Sequence, residues 1–400
     1  MKHLISSFKT LFVLSIMSVP SIFISCTEEN DEQPDYPEFA NQTVIMYMPW
    51  ADSGIYGYFL KNISAFETAI EQNHGLGGNS LVVFISENGY TSHMIRISYE
   101  DSECRRDTLN EYSFDACDYT TADGISQIIR DAKEFAPANK YALAIGCHGM
   151  GWIPSGTNVG TRVTKINSKG QPVYQTRFFG SASDSRYQTD IATLAEGLAN
   201  TGQRMEYVLF DDCYMSNIET AYDLRNVTDY LIASTCEIMI EGMPYDKIGI
   251  DLLNNDFKGV VDGFYDFYSS FKMPCGTIGV TDCREVEEMA YIMKQINASC
   301  PDLPCNVTEI QDLDGFENTI FFDFGDYVNR LCMNQSLLDE FNSQLERLVP
   351  YKACTDTYYS SYSGKENAIN TFSGLTISDP SINRSIANVK NQTNWYRDTH

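Results

Sequence analysis

The feature that most constrains this chain is an alternation in its first half, where short apolar runs are separated by amphipathic stretches. The runs are "TVIMYMP" from Thr43, "SLVVFIS" from Ser80, "YALAIG" from Tyr141, "MEYVLF" from Met205 and "DYLIAST" from Asp229. Strands with little polar interruption belong in a sheet covered on both faces, and helices near 55–72, 123–136, 189–201 and 215–225 would cover it. The expected fold class is therefore α/β, a mostly parallel central sheet between helical layers. "SHMIRIS" from Ser92 adds an edge or hairpin strand after the "ENGY" turn. Beyond residue 251 the pattern predicts helices near 283–298 and 335–349, then a strand in "TFSGLTISDP". Four hundred residues exceed a typical domain, so we expect a catalytic-size core over 43–250 and a C-terminal region over 251–400. No internal repeat, P-loop or dinucleotide fingerprint interrupts this pattern.

The N-terminus carries Lys2, His3 and Lys9, an apolar stretch from Leu11 to Ile24, and "FISC" ending at Cys26. That stretch is short for a transmembrane helix and resembles a bacterial lipoprotein signal, in which the cysteine is lipidated; a plain secretory signal is the alternative. Phe23 departs from the usual leucine. The following "TEENDEQPDYPE" lacks apolar residues and predicts a flexible tether over 27–42. An exported chain with twelve cysteines invites disulfides. Loss of Cys26 to lipid leaves eleven, so one thiol stays unpaired in a monomer. Cys300 with Cys305, Cys104 with Cys117 and Cys275 with Cys283 are near pairs in sequence, although spacing does not fix connectivity.

A formal charge of −26, from 28 basic and 54 acidic side chains, excludes a nucleic-acid surface. The basic residues Arg162, Lys165, Lys169, Arg177 and Arg186 stand together in the aperiodic stretch between Trp152 and Arg186. A long stretch of this kind in a compact domain is usually functional.

Five histidines narrow the search for chemistry. His3 lies in the leader and His400 ends the chain. His74, in "EQNHGLGG", suits a helix C-terminus, and His93 sits on an alternating strand. His148 remains, in "YALAIGCHGMGW", at the carboxyl end of a central strand where open α/β sheets place ligands. "MEYVLF" ends similarly at "DDCYMSNIETAYDL", with Cys213 just before an amphipathic helix whose terminus would favour its thiolate. On adjacent strands, His148 and Cys213 make an arrangement for covalent acyl transfer. Cys147 competes as nucleophile, but successive strand residues point to opposite faces. A metal held by Cys147, His148 and Cys213 is a third reading, without the Cys-x2-Cys spacing of structural zinc.

"HGMGW" at 148–152 resembles the His-Gly-x-Gly-Trp motif of the clostripain family of cysteine peptidases, and "DDCYMSNIETAYDLR" resembles its nucleophile helix. "YLIASTCEIMIEGMPYD" from Tyr230 resembles the segment closing that family's substrate site, while "SGLTISDP" and "NQTNWYRD" resemble its final segments. The resemblance implies the three-layer α/β/α sandwich of the caspase, legumain and gingipain group. It implies His148 and Cys213 as the catalytic pair, backbone N–H groups of Gly149 and Cys213 as the oxyanion site, and Asp211 as the acid of the S1 pocket. Substrates would be proteins or peptides with Arg or Lys at the cleavage site. Asp212 stands where the family commonly has alanine, which leaves open which acid faces the pocket, and Cys147 replaces the usual Asn or Ser. Self-cleavage at Arg162, Lys165, Lys169 or Arg177 follows from a basic specificity. No cofactor is required, calcium stays open for lack of an EF-hand, and the chain is expected to be a monomer. An inactive binding module on the same fold is the competing class; it has no need of both His148 and Cys213.

Overall fold

Each of the five apolar runs forms a strand of one sheet. The computed structural model describes residues 39–49, 53–155, 179–180, 185–300, 307–378 and 384–400. In chain order it begins β1 (Ala40–Met48), α1 (Ser53–Gln72), β2 (Ser80–Ser86), β3 (Thr91–Glu100), β4 (Glu103–Ser113), α2 (Ala122–Phe135) and β5 (Ala138–Gly146). Then come β6 (Phe179–Gly180), β7 (Gln188–Thr189), α3 (Ile191–Ala199), β8 (Met205–Asp211), α4 (Ile218–Leu224) and β9 (Thr228–Ala233). They are followed by α5 (Tyr245–Asn254), α6 (Phe257–Ser269), β10 (Thr277–Asp282) and α7 (Val286–Ser299). The chain closes with β11 (Phe322–Asp323), α8 (Phe324–Leu331), α9 (Gln335–Leu348), β12 (Tyr351–Cys354), β13 (Thr357–Ser360), β14 (Lys365–Ala368), β15 (Thr376–Ile377), α10 (Arg384–Lys390) and α11 (Asn394–Thr399).

The sheet has nine strands in the order β12-β10-β9-β8-β5-β1-β2-β3-β4. Its centre, from β9 to β2, is parallel, and both edges are antiparallel. The centre is parallel because its strands are apolar on both faces: Val44 to Met48, Leu81 to Ile85, Ala142 to Ile145 and Val208 to Phe210 are all buried. Helices α1, α5 and α6 pack together as one layer, and α2, α3, α4 and α7 as the other. The expected α/β sandwich is the observed one.

Sequence periodicity missed α5, α6 and the strands β4, β10 and β12. β4 is the exposed edge, and its sequence ECRRDTLNEYS carries the charges that keep an edge from pairing with other chains, which hides its strand character. "TFSGLTISDP" supplies only β15, which pairs with β11 outside the central sheet. Residue 250 falls inside α5, and β10 and β12 extend the same sheet from the C-terminal side. β1 begins at Ala40, within the stretch read as tether. The ten described cysteines are thiols.

The C-terminal region meets the sheet closely at Gly279 of β10, where a Cβ would lie 1.9 Å from the Gly374 carbonyl oxygen. Gly279→Ala is expected to destabilise the protein by roughly 1–3 kcal/mol. Gly57→Ala, at an exposed position of α1 with open space around it, is expected to stabilise by about 0.5–1 kcal/mol. Urea midpoints of the two variants against the parent would check both signs.

Candidate active site

β5 and β8 are adjacent and parallel, with Ile145 beside Phe210 and Gly146 beside Asp211. The residues that leave these strands are thus Cys147, His148 and Gly149 on one side and Asp212 and Cys213 on the other. Gly149 shows how close they come. A Cβ there would lie 2.5 Å from the Cys213 carbonyl oxygen, 3.0 Å from its nitrogen and 2.6 Å from Asp212 Cβ. Only glycine lets the histidine loop rest on the main chain of Cys213. Beyond it, His148 and Gly180 exchange backbone hydrogen bonds of 3.2 and 3.0 Å. Gly180 has φ +129°, and a Cβ there would meet the Tyr187 carbonyl at 2.1 Å.

Asp212 ties the two strand ends together. One carboxylate oxygen accepts the Cys147 N–H at 2.6 Å and the other the Cys147 thiol at 3.2 Å. The Cys147 thiol is thus engaged by Asp212, and among the described residues no group of three or more His, Cys, Asp or Glu is placed to hold a metal. Asp211 takes a different course: it accepts Asn62 Nδ2 at 3.0 Å and the Met243 N–H at 2.8 Å, while the buried Tyr245 hydroxyl nearby makes no hydrogen bond with the described residues. Both acids are almost fully buried, at 6% and 1% exposure. Burial pushes Asp211 up to about 7, against the Met243 N–H, the neighbouring Tyr245 hydroxyl and Asn62. Burial likewise raises Asp212 to about 8, against its bonds from Cys147 and with a contribution from the charge of Asp211.

Cys213 departs from expectation. α4 starts only at Ile218, capped by Asn217, whose side chain accepts the Thr220 N–H at 2.8 Å, so Cys213 precedes the helix instead of sitting at its terminus. Its sulfur accepts the Ile238 N–H at 3.3 Å and lies 3.7 Å from the Ile238 carbonyl. Burial, then the Glu237 carboxylate, push the thiol far up, and the Ile238 N–H only partly offsets them. Cys213 is part-buried, and its sulfur is a thiol held against the Ile238 main chain. Its neighbour Tyr214 adopts φ 61°, a conformation costly for a bulky residue. It is held by stacking on Phe321 at 5.5 Å and by donating its hydroxyl to Glu237 at 2.8 Å.

The C-terminal segments brace this end of the sheet. Trp152 donates its Nε1–H to Ser378 Oγ at 2.8 Å, and the Lys390 ammonium lies 5.4 Å from the Trp152 ring centre. Lys390 also pairs with Glu219 of α4, both 1% exposed, and Glu219 accepts the Ser378 N–H at 3.1 Å.

Of the residues expected at the site, His148, Gly149, Asp211 and Cys213 lie at neighbouring carboxyl strand ends. Arg162, Lys165, Lys169, Arg177 and Cys26 fall outside the described residues. His74 ends α1 in a left-handed conformation and His93 bonds Glu87 at 3.3 Å, each away from the site. Sequence reading missed Asn62, Tyr245, Glu237 and Ile238 as neighbours of these residues, and the Cys147–Asp212 clasp. The only signal for the clasp was that both its members depart from the family pattern together.

A nine-stranded α/β sandwich with a cysteine and a histidine at adjacent parallel strand ends defines a cysteine peptidase of the caspase-like class. The clostripain family model matches residues 46–366, and the chain belongs to that family. It is similar to a secreted C11 cysteine protease from Bacteroides thetaiotaomicron, "iotapain", at 46% identity over 91% of this chain and 100% of that one, TM-score 0.82. An inactive zymogen C11 protease from Parabacteroides distasonis is 27% identical over 91% and 99%, TM-score 0.75. A clostripain from Bacteroides thetaiotaomicron in complex with the peptide inhibitor BTN-VLTK-AOMK is 53% identical over 56% of this chain and 99% of that one, TM-score 0.54. No curated protein matches.

Two predictions follow from the buried charges. Lys390→Met leaves the Glu219 carboxylate buried without its cation and is expected to cost about 3–5 kcal/mol; adding Glu219→Gln should return part of that, as measured by denaturant unfolding. For Asp212 the folded value lies above the ordinary 3.8, so the folded state holds its proton more tightly than the unfolded chain. Its contribution to stability is complete below about 4 and is lost as pH rises to about 8. Asp212→Asn, which does not titrate, should therefore gain stability relative to the parent over that rise.

Proposed function

We propose that the chain is an endopeptidase that cuts after Lys or Arg, with Cys213 as nucleophile and His148 as its acid–base partner. The observation that carries this reading is the seating of Gly149 on the main chain of Cys213 at the ends of β5 and β8. There the Cys213 sulfur attacks the scissile carbonyl, and His148 delivers a proton to the leaving amine. The N–H groups of Gly149 and Cys213 receive the developing oxyanion. The raised thiol makes a demand on the reaction: its proton must pass to His148 as the sulfur attacks.

Asp211 is the selector in this proposal. Asp212 is clasped to Cys147, whereas Asp211 bonds Asn62 and the Met243 N–H, close in sequence to Ile238, whose N–H bonds the Cys213 sulfur. A substrate cation would stabilise the Asp211 anion that burial disfavours. The inhibitor bound to the 53% identical clostripain has a peptide part written VLTK, which ends in lysine, in keeping with a basic preference. Self-cleavage at Arg162, Lys165, Lys169 or Arg177 belongs to the same reading, as does export with Cys26 lipidated; relatives described as secreted and as a zymogen support export and maturation.

Matched fluorogenic peptides ending in Lys, Arg, Asp or Leu, given to the chain from residue 27 with and without calcium, test this. Cleavage after Lys or Arg should fall by roughly four orders of magnitude or more in Cys213→Ala. It should fall on the order of a hundredfold in kcat/KM in Asp211→Asn. Cleavage after Leu or Asp alone would discard Asp211 as selector; no cleavage of any peptide would discard the dyad.

A further inference from the structure

Tyr214, the residue after Cys213, sits in the left-handed region at φ 61°, which a bulky side chain does not adopt unless its surroundings hold it there. Its main chain is tied on both sides: the N–H donates to the Cys236 carbonyl at 3.0 Å, and the carbonyl accepts Asn217 Nδ2 at 2.9 Å. Its ring, 3% exposed, packs on Phe321 and Phe316 with ring centres 5.5 and 5.6 Å away. The hydroxyl has one proton and gives it to Glu237 Oε1 at 2.8 Å; the Asp314 carbonyl, at 3.5 Å, is the more distant acceptor. Glu237 is fixed from the other side by the C-terminal region. The same Oε1 accepts the Ser361 N–H at 2.9 Å and the Ser360 hydroxyl at 3.3 Å, at the end of β13. The chain neighbours of Glu237 reach the same two residues, Cys236 through its carbonyl to Tyr214 and Ile238 through its N–H to the Cys213 sulfur at 3.3 Å.

We propose that Glu237 is a positioning residue for the nucleophile, its Oε1 holding the Tyr214 hydroxyl against the end of β13 and thereby fixing the main chain that carries the Cys213 sulfur. The proposal rests on Cys213 as the attacking atom. What the arrangement requires at 237 is an oxygen more than a charge, since the bonds from Tyr214, Ser360 and Ser361 all fall on one acceptor atom. A glutamine amide oxygen can take the two short ones, from Tyr214 and Ser361. Glutamine therefore separates holding from electrostatics: a residue acting only by its charge on the sulfur is lost equally in glutamine and alanine. Tyr214→Phe keeps the ring on Phe321 and removes only the donor.

Peptides ending in Lys or Arg are given to the full chain and to its Glu237→Ala, Glu237→Gln and Tyr214→Phe forms, and the same proteins are followed by amide hydrogen exchange and thermal unfolding. Glu237→Ala and Tyr214→Phe should each lower kcat roughly tenfold or more, with KM within about threefold. Exchange should quicken in both, in peptides covering 213–217 and 236–240. Glu237→Gln should return kcat to within about threefold of the parent and keep parent exchange. Glu237→Ala combined with Tyr214→Phe should fall no further than either alone, because both remove the same bond. Parent-like kcat in Glu237→Ala overturns the proposal, a fall in Tm alone included, since that would make Glu237 a brace of the fold. A glutamine form as slow as the alanine form, with parent exchange in both, also overturns it and assigns the effect to charge. If the parent cuts no peptide, the peptidase reading fails separately and exchange decides the hold. Unchanged protection around Cys213 in Glu237→Ala then overturns it, and loss of protection reversed by glutamine supports it.

Discussion

Everything at this site depends on how closely the main chains of β5 and β8 continue to approach after their ladder ends. Gly146 beside Asp211 is the last paired position, and from there the strands would ordinarily diverge into loops. They stay together because Asp212 accepts both donors of Cys147 and because Gly149 presents no side chain to Cys213. The distance from histidine loop to cysteine is thus set by backbone contact, with little freedom left to side-chain rotamers. The contact on the far side, between His148 and Gly180, fixes the loop from the other edge.

That closeness has an electrostatic cost. Asp211, Asp212 and the Glu237 carboxylate surround one sulfur, and each raises the thiol. The two aspartates are themselves raised by burial. The state described is one in which thiol and acids resist ionising, with the Ile238 N–H as the direct donor on the sulfur. Neutralising any of these acids would ease ionisation of the sulfur.

The core was legible in the sequence and the periphery was not, for a physical reason. Parallel central strands bury both faces and so appear as apolar runs, whereas β4 and β12 are edges whose composition answers to solvent. At the site, His148 and Cys213 could be found because strand ends carry ligands and their motifs resemble a family. Asn62 lies in the middle of α1 and Ile238 acts through its main chain, so neither carries a sequence signal. The bracing by Ser378 and Lys390 was equally hidden, because each reaches Trp152 or Glu219 across more than 150 residues.

Under the proposed specificity, selection need not rest on a carboxylate waiting in its charged form. With Asp211 raised to about 7 by burial, the empty pocket near neutral pH holds a mixture of acid and anion. An arriving ammonium or guanidinium favours the anion, so pocket charge and substrate charge come into register on binding. A neutral side chain supplies no such gain, and an acidic one adds repulsion to burial. The donors on Asp211 then matter in a way their stability contribution alone would not suggest. Asn62 and Met243 hold its oxygens in place, and each favours the anion by an amount that limits how much a substrate must add. Met243 lies just beyond Ile238, whose N–H bonds the Cys213 sulfur. A shift of that segment would couple recognition of the basic side chain to the hydrogen bond on the Cys213 sulfur.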